Sequence, residues 1–172
     1  MAKIIFITGG ARSGKSRFAE KLAEGFGAPL GYVATGMAGD AEMAERISRH
    51  RLRRGEGWQT LEEPYDVAKV LAGHDGYFSA MLVDCVTLWI TNLLLHCDDP
   101  VRVRAEVQDL ARQLPTLATP VILVANEVGM GIVPENALAR AFRDLAGEAN
   151  EFLAAVADEV YVVFSGLPLR LK

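Results

Sequence analysis

Residues 9–16 read Gly9-Gly10-Ala11-Arg12-Ser13-Gly14-Lys15-Ser16, the pattern G-x-x-x-x-G-K-S of a phosphate-binding loop. The stretch before it, Lys3-Ile4-Ile5-Phe6-Ile7-Thr8, is β-branched and aromatic and predicts a buried strand. The stretch after it places Phe18, Leu22 and Phe26 at four-residue spacing and predicts a helix over 17–26. Strand, glycine loop and helix are the context this motif requires. The glycines let backbone N–H groups curl around phosphate oxygens, and the helix N-terminus adds its partial positive charge. Lys15 is then expected to reach the β- and γ-phosphates of a nucleoside triphosphate, and the Ser16 hydroxyl to hold Mg2+.

Working outward, further apolar runs recur at Leu30–Ala34, Met81–Cys85, Val121–Ala125 and Val160–Phe164. Near-continuous apolar strands of this kind belong to parallel sheets buried on both faces. Between them lie helical patterns. Leu138, Phe142, Leu145, Ala149, Phe152 and Val156 share one helical face behind Pro134, and the segment Val101–Leu114 is closed by Pro115. With no repeat or long linker, the 172 residues read as one domain, 1–172: an α/β, three-layer fold with a mostly parallel sheet and helices on both faces. Ligands of such sheets bind outside the carboxyl ends of the strands.

Bulk composition bounds the function. At 51% hydrophobic and 23% charged residues the chain is ordinary globular protein, and a net charge of −4 argues against a general nucleic-acid binder. No apolar run reaches membrane-span length. No small-residue cleavage site follows Lys3, so no signal peptide is expected. Cys85 and Cys97 have neither disulfide-framework nor metal-ligand spacing, which makes a reducing cytoplasm the expected compartment.

Three more stretches carry chemistry. Met81-Leu82-Val83-Asp84 is an apolar strand ending in a carboxylate. Asp84 would complete a Mg2+ site with Ser16, or else cap the following helix near Thr87. A basic run from Arg46 to Arg54 holds Arg46, Arg49, Arg51, Arg53 and Arg54 around His50, with Asp40 as a helix N-cap and Gly55 as its stop. Met43, Ile47 and His50 share one face of that helix. Either the run is a solvated basic face, or its arginines grip phosphates and leave His50 unprotonated as a nucleophile at phosphorus. Asn126–Glu135 follows a strand and precedes the long helix, as a substrate-shaping loop or a plain connection. Tyr32-Val33-Ala34-Thr35-Gly36 also ends on the ligand-binding edge, while His74 lies in a surface turn and His96 at a helix C-terminus.

Taken together, the blocks Thr8–Ser16, Tyr32–Gly36, the Arg46-Ile47…His50…Arg54 helix, Trp58-Gln59-Thr60-Leu61-Glu62-Glu63 and Asn126–Asn136 resemble the bifunctional adenosylcobinamide kinase / adenosylcobinamide-phosphate guanylyltransferase family of cobalamin biosynthesis. The resemblance runs from the first strand to the segment 160–166. It implies two reactions: phosphorylation of the hydroxyl on the aminopropanol arm of adenosylcobinamide, then transfer of GMP from GTP to that phosphate with release of pyrophosphate. It further implies a GMP–histidine intermediate at His50. Implied guanine-nucleotide contacts are Gly9, Gly10, Ala11, Arg12, Ser13, Gly14, Lys15 and Ser16, with Ala34, Thr35, Gly36, Arg51, Leu52, Arg53, Arg54, Glu62 and Asp84. Where some relatives carry two adjacent histidines, this chain has Arg49 beside His50; where others carry Glu, it has Asp84. The resemblance also implies GTP and ATP as substrates, a RecA-like P-loop NTPase sheet and a homotrimer. A plain P-loop kinase without a covalent histidine, and a non-catalytic nucleotide switch, are the competing readings.

Overall fold

The computed structural model describes residues 2–37 and 54–172. The phosphate loop joins strand β1 (Ile4–Thr8) to helix α1 (Lys15–Glu24), and β2 (Leu30–Ala34) follows. Next come β3 (Trp58–Glu62), α2 (Val67–Gly73), β4 (Ala80–Asp84), α3 (Val86–Cys97) and α4 (Pro100–Gln113). A 3-10 turn at Leu114–Thr116 leads into β5 (Val121–Val124), α5 (Ala137–Val156) and the hairpin β6 (Glu159–Phe164)–β7 (Leu167–Arg170).

The seven strands form one sheet in the order β3-β2-β4-β5-β1-β6-β7. All pairs are parallel except β6–β7. The mostly parallel sheet expected from the apolar runs is therefore present, and the runs coincide with β1, β2, β4, β5 and β6 to within one residue at their ends. β3 and β7 are additional, one at each edge of the sheet.

Strand alternation divides the core cleanly. Ile4, Phe6, Val33, Met81, Val83, Val121 and Leu123 point to one face, where they meet Leu71 of α2, Trp89 of α3, Leu110 of α4 and Leu153 of α5. Ile5, Ile7, Leu30, Tyr32, Leu82, Ile122 and Val124 point to the other, against Ala19 and Ala23 of α1. Both faces are covered, so these strands are buried throughout and stabilise the fold by roughly 1.5–3 kcal/mol per large aliphatic side chain.

The helices start where local chemistry allows. Asp99 caps α4 through its carboxylate, which accepts from Val101 N–H at 2.9 Å, and Pro100 occupies the first turn. α5 begins at Ala137, later than Pro134, because the Asn136 side chain accepts from Ala139 N–H at 3.1 Å and sets the start.

Candidate active site

The phosphate loop is built by what has no room for a side chain. A Cβ on Gly9, whose φ is +149°, would stand 2.4 Å from the Val163 carbonyl oxygen. Gly14 takes the left-handed conformation at φ 96° as the cap residue of α1, and a Cβ there would lie 3.2 Å from Gly166 Cα. The β6–β7 turn thus closes against the loop, and Gly166 N–H donates to Ser13 O at 2.7 Å. Lys15 is buried and its Nζ donates to Gly10 O at 2.6 Å, folded over its own loop. The hydroxyls of Thr8 and Ser13 are buried and, among the described residues, have no hydrogen-bond partner. The first backbone N–H groups of α1 face the same space, since helix N-termini leave them without intrahelical acceptors.

Register aligns the rest of the carboxyl edge. Ala34 pairs with Asp84 on one side and with Glu62 on the other, and Asp84 pairs with Val124. Thr35 is fully buried; its hydroxyl donates to Cys85 O at 2.8 Å and accepts from Cys85 N–H at 2.8 Å. Asn92 Nδ2 donates to Thr35 O at 2.7 Å. The Thr35 side chain is therefore spent on clamping β2 to the end of β4, and what Thr35 offers a ligand is position.

Asp84 does not cap α3. The cap is Cys85, whose Sγ accepts from Leu88 N–H at 3.4 Å. Burial, reinforced by the neighbouring Asp84 charge, pushes the Cys85 thiol up to about 11, so it stays protonated at neutral pH. Asp84 Oδ2 instead accepts from the Tyr32 hydroxyl at 3.1 Å. The Arg54 guanidinium lies 3.3 Å above the Tyr32 ring centroid, a cation–π stack. Burial first, and then the Asp84 charge, raise the Tyr32 pKa, so its hydroxyl remains a donor. Arg54 is only 9% exposed, and its Nη1 has no partner among the described residues.

Of the residues expected from the sequence, Gly9–Ser16, Ala34–Gly36, Glu62 and Asp84 fall on one edge of the sheet, with Arg54 stacked on Tyr32, whose hydroxyl donates to Asp84. His50, Arg51, Leu52 and Arg53, with Asp40, Arg46 and Arg49, lie outside the described residues. The sequence set Tyr32 on the ligand-binding edge and Thr8 in the phosphate-loop block but named neither as a contact. The available signal was a lone tyrosine in an aliphatic strand, two residues before its carboxyl end and so on the same face as Ala34. A hydroxyl and a carboxylate suit a hard cation such as Mg2+, and no group of three or more His, Cys, Asp or Glu among the described residues forms an all-protein cage. That donor set matches magnesium's habit of binding through one carboxylate plus substrate phosphates.

A family model described as cobinamide kinase / cobinamide phosphate guanyltransferase matches residues 5–171. The chain belongs to this family. The bifunctional adenosylcobalamin biosynthesis protein CobP of Pseudomonas aeruginosa is 48% identical over 166 residues, covering 96% of this chain and 95% of the relative. The protein CobU of Escherichia coli, described in the same words, is 42% identical over 181 residues, covering 98% and 99%. Among solved structures, a KaiC-like protein from Pyrococcus horikoshii matches with a TM-score of 0.51 at 15% identity, over 93% of this chain and 70% of that one. At that identity the likeness speaks for the fold alone, and it agrees with the RecA-like P-loop sheet. Family membership selects among the readings of the sequence: the chain is a bifunctional kinase and guanylyltransferase of adenosylcobalamin biosynthesis.

Proposed function

We propose that the chain acts as one catalytic domain, 1–172, and runs both reactions on the carboxyl edge of its sheet, the second through a covalent histidine. The observation that carries the site assignment is the set of buried side-chain polar atoms without a partner among the described residues: Thr8 Oγ1, Ser13 Oγ and Arg54 Nη1. Buried polar atoms are ordinarily satisfied. These three belong to the strand end before the phosphate loop, the loop itself and the arginine over the Tyr32 ring, where phosphate oxygens would supply acceptors.

In the kinase step, Gly9–Ser16 cradle the triphosphate and Lys15 swings from Gly10 O to its β- and γ-oxygens. The acceptor hydroxyl oxygen attacks the γ-phosphorus, its proton passes to solvent, the bond to the bridging oxygen breaks, and the nucleoside diphosphate leaves. Ser16 and Asp84 would hold Mg2+, which supplies positive charge against the phosphates. In the transferase step, His50 attacks the α-phosphorus of GTP and pyrophosphate leaves, so GMP stays on the imidazole. A phosphate oxygen of adenosylcobinamide phosphate then attacks that phosphorus and the P–N bond breaks, returning the neutral imidazole. Arg51, Arg53 and Arg54 grip the phosphates, and Glu62, beside Ala34 on the edge, accepts from the N1–H and 2-amino groups of guanine. GTP serves the second step, and GTP or ATP the first. By family resemblance the working form is a homotrimer in the cytoplasm.

The test is to incubate the protein with adenosylcobinamide, GTP and Mg2+ and to weigh the products. Adenosylcobinamide phosphate, adenosylcobinamide-GDP and pyrophosphate are expected. Lys15→Ala should abolish the first product, and Lys15→Arg should not restore it, because the loop fits a compact ammonium. Near-normal phosphorylation by Lys15→Ala would remove the loop from the mechanism.

A further inference from the structure

The chain that leaves β5 is pinned beside the phosphate loop. Glu127 N–H donates to Gly9 O at 3.0 Å, and Asn126 N–H donates to Thr87 Oγ1 at 2.7 Å. Asn150 Nδ2 reaches Asn126 O at 3.2 Å, Gly129 N–H closes on Glu127 Oε1 at 3.0 Å, and Arg140 Nη1 donates to Pro134 O at 2.9 Å. Between these anchors the side chains turned to solvent are apolar. Ile132 is 97% exposed, Met130 80% and Val133 60%, and Leu138 in the first turn of α5 is also exposed. A loop held this firmly, with bare aliphatic side chains that contribute nothing to the core, has the marks of a binding surface.

Its place in the sheet says what it would bind. β4, β5 and β1 are adjacent, and Asp84, Val124 and Ile7 stand at one level in the register. A triphosphate held by the loop after β1 and by the carboxylate ending β4 has its terminal phosphate over the end of β5. The chain continuing from β5 is this loop. An acceptor hydroxyl must approach that phosphorus in line with the breaking bond. In this family the hydroxyl sits on a short arm of a corrinoid, whose conjugated ring and ring methyl groups present apolar area between its amide side chains, far more than the arm does.

We propose that Met130, Ile132, Val133 and Leu138 form the surface on which the corrinoid ring rests while its hydroxyl arm reaches the terminal phosphate. This assignment rests on the kinase reading above and adds the acceptor site to it. A second exposed apolar stripe, Phe164, Leu167 and Leu169, lies on the β6–β7 hairpin, across β1 from β4 and β5. It is on the wrong side of the loop to meet the terminal phosphate.

The experiment uses the full chain carrying Met130→Asp and Ile132→Asp together, with Leu167→Asp as the companion. Steady-state phosphorylation gives KM for adenosylcobinamide and for GTP, equilibrium dialysis gives corrinoid binding without nucleotide, and light scattering gives the oligomeric state. The double variant should raise the corrinoid KM and dissociation constant about ten-fold or more, since each charge removes an apolar contact. Its GTP KM and oligomeric state should match wild type, and Leu167→Asp should keep wild-type corrinoid values. Unchanged corrinoid binding in the double variant overturns the assignment. So does a change of oligomeric state, which would make the loop a contact between copies, and so does a parallel rise in GTP KM, which would make it a prop for the phosphate loop. Wild-type protein that phosphorylates no corrinoid overturns the kinase reading as well.

Discussion

At Tyr32 the hydroxyl and the ring are tied to different partners. The hydroxyl donates to Asp84 Oδ2 at 3.1 Å, and the ring lies under the Arg54 guanidinium. Tyr32→Phe separates the two: the stack persists while Asp84 loses the donor that orients it. Outer-shell hydrogen bonds of this kind typically set metal affinity by about ten-fold or more. Mn2+ binding to the protein–GTP complex, read by electron paramagnetic resonance, is therefore expected to weaken by about that factor, with metal-free GTP binding unchanged. Equal Mn2+ affinity in Tyr32→Phe would leave the Tyr32–Asp84 bond without a functional role. The contact spans 52 positions of sequence, which explains why it was not legible there: it exists only once β2 and β4 pair in register. The phosphate loop, by contrast, was legible residue by residue, because its glycines answer local demands such as the 2.4 Å approach of Val163 O to a Cβ at Gly9.

Elements were legible in proportion to their burial. β1, β2, β4 and β5 are covered on both faces and read as apolar runs. β3 is an edge strand, half exposed, with Gln59, Thr60 and Glu62 among its residues. β7, the other edge, is exposed throughout and carries Pro168, which only an edge tolerates. Neither has the hydrophobic pattern by which a strand announces itself. The connection between α2 and β4 depends on Asp75, whose carboxylate accepts from Thr119 N–H at 2.8 Å and from Ala118 N–H at 2.9 Å. Those backbone donors, Thr119 foremost, hold the Asp75 carboxyl below its usual range. A depressed carboxyl favours the fold fully above the unfolded-state value and loses that contribution as pH falls through the folded-state value. Asp75→Asn should thus be less stable than wild type in urea at neutral pH, with the gap closing as the pH drops through the carboxylate range. A gap that stays constant with pH would assign the effect to shape and not to charge.

For the whole molecule, the strand order does the assembling. It sets the ends of β1 and β4 on either side of β5, so that the phosphate loop, Asp84 and the apolar loop after β5 border one space. Arg54, four residues after His50 in the sequence, lies over the Tyr32 ring, whose hydroxyl donates to Asp84. We propose that the two reactions open a triphosphate in two ways, at the γ-phosphorus by the acceptor hydroxyl and at the α-phosphorus by the imidazole. The central claim is the second of these, and the most direct measurement is retention of label from GTP by the protein. With α-labelled GTP and Mg2+, wild-type protein should keep the label through denaturation and lose it in mild acid, as a phosphoramidate does, and γ-label should not be kept. His50→Ala should take up no label and yet still phosphorylate adenosylcobinamide. Acid-stable label, or full labelling of His50→Ala, would contradict the account.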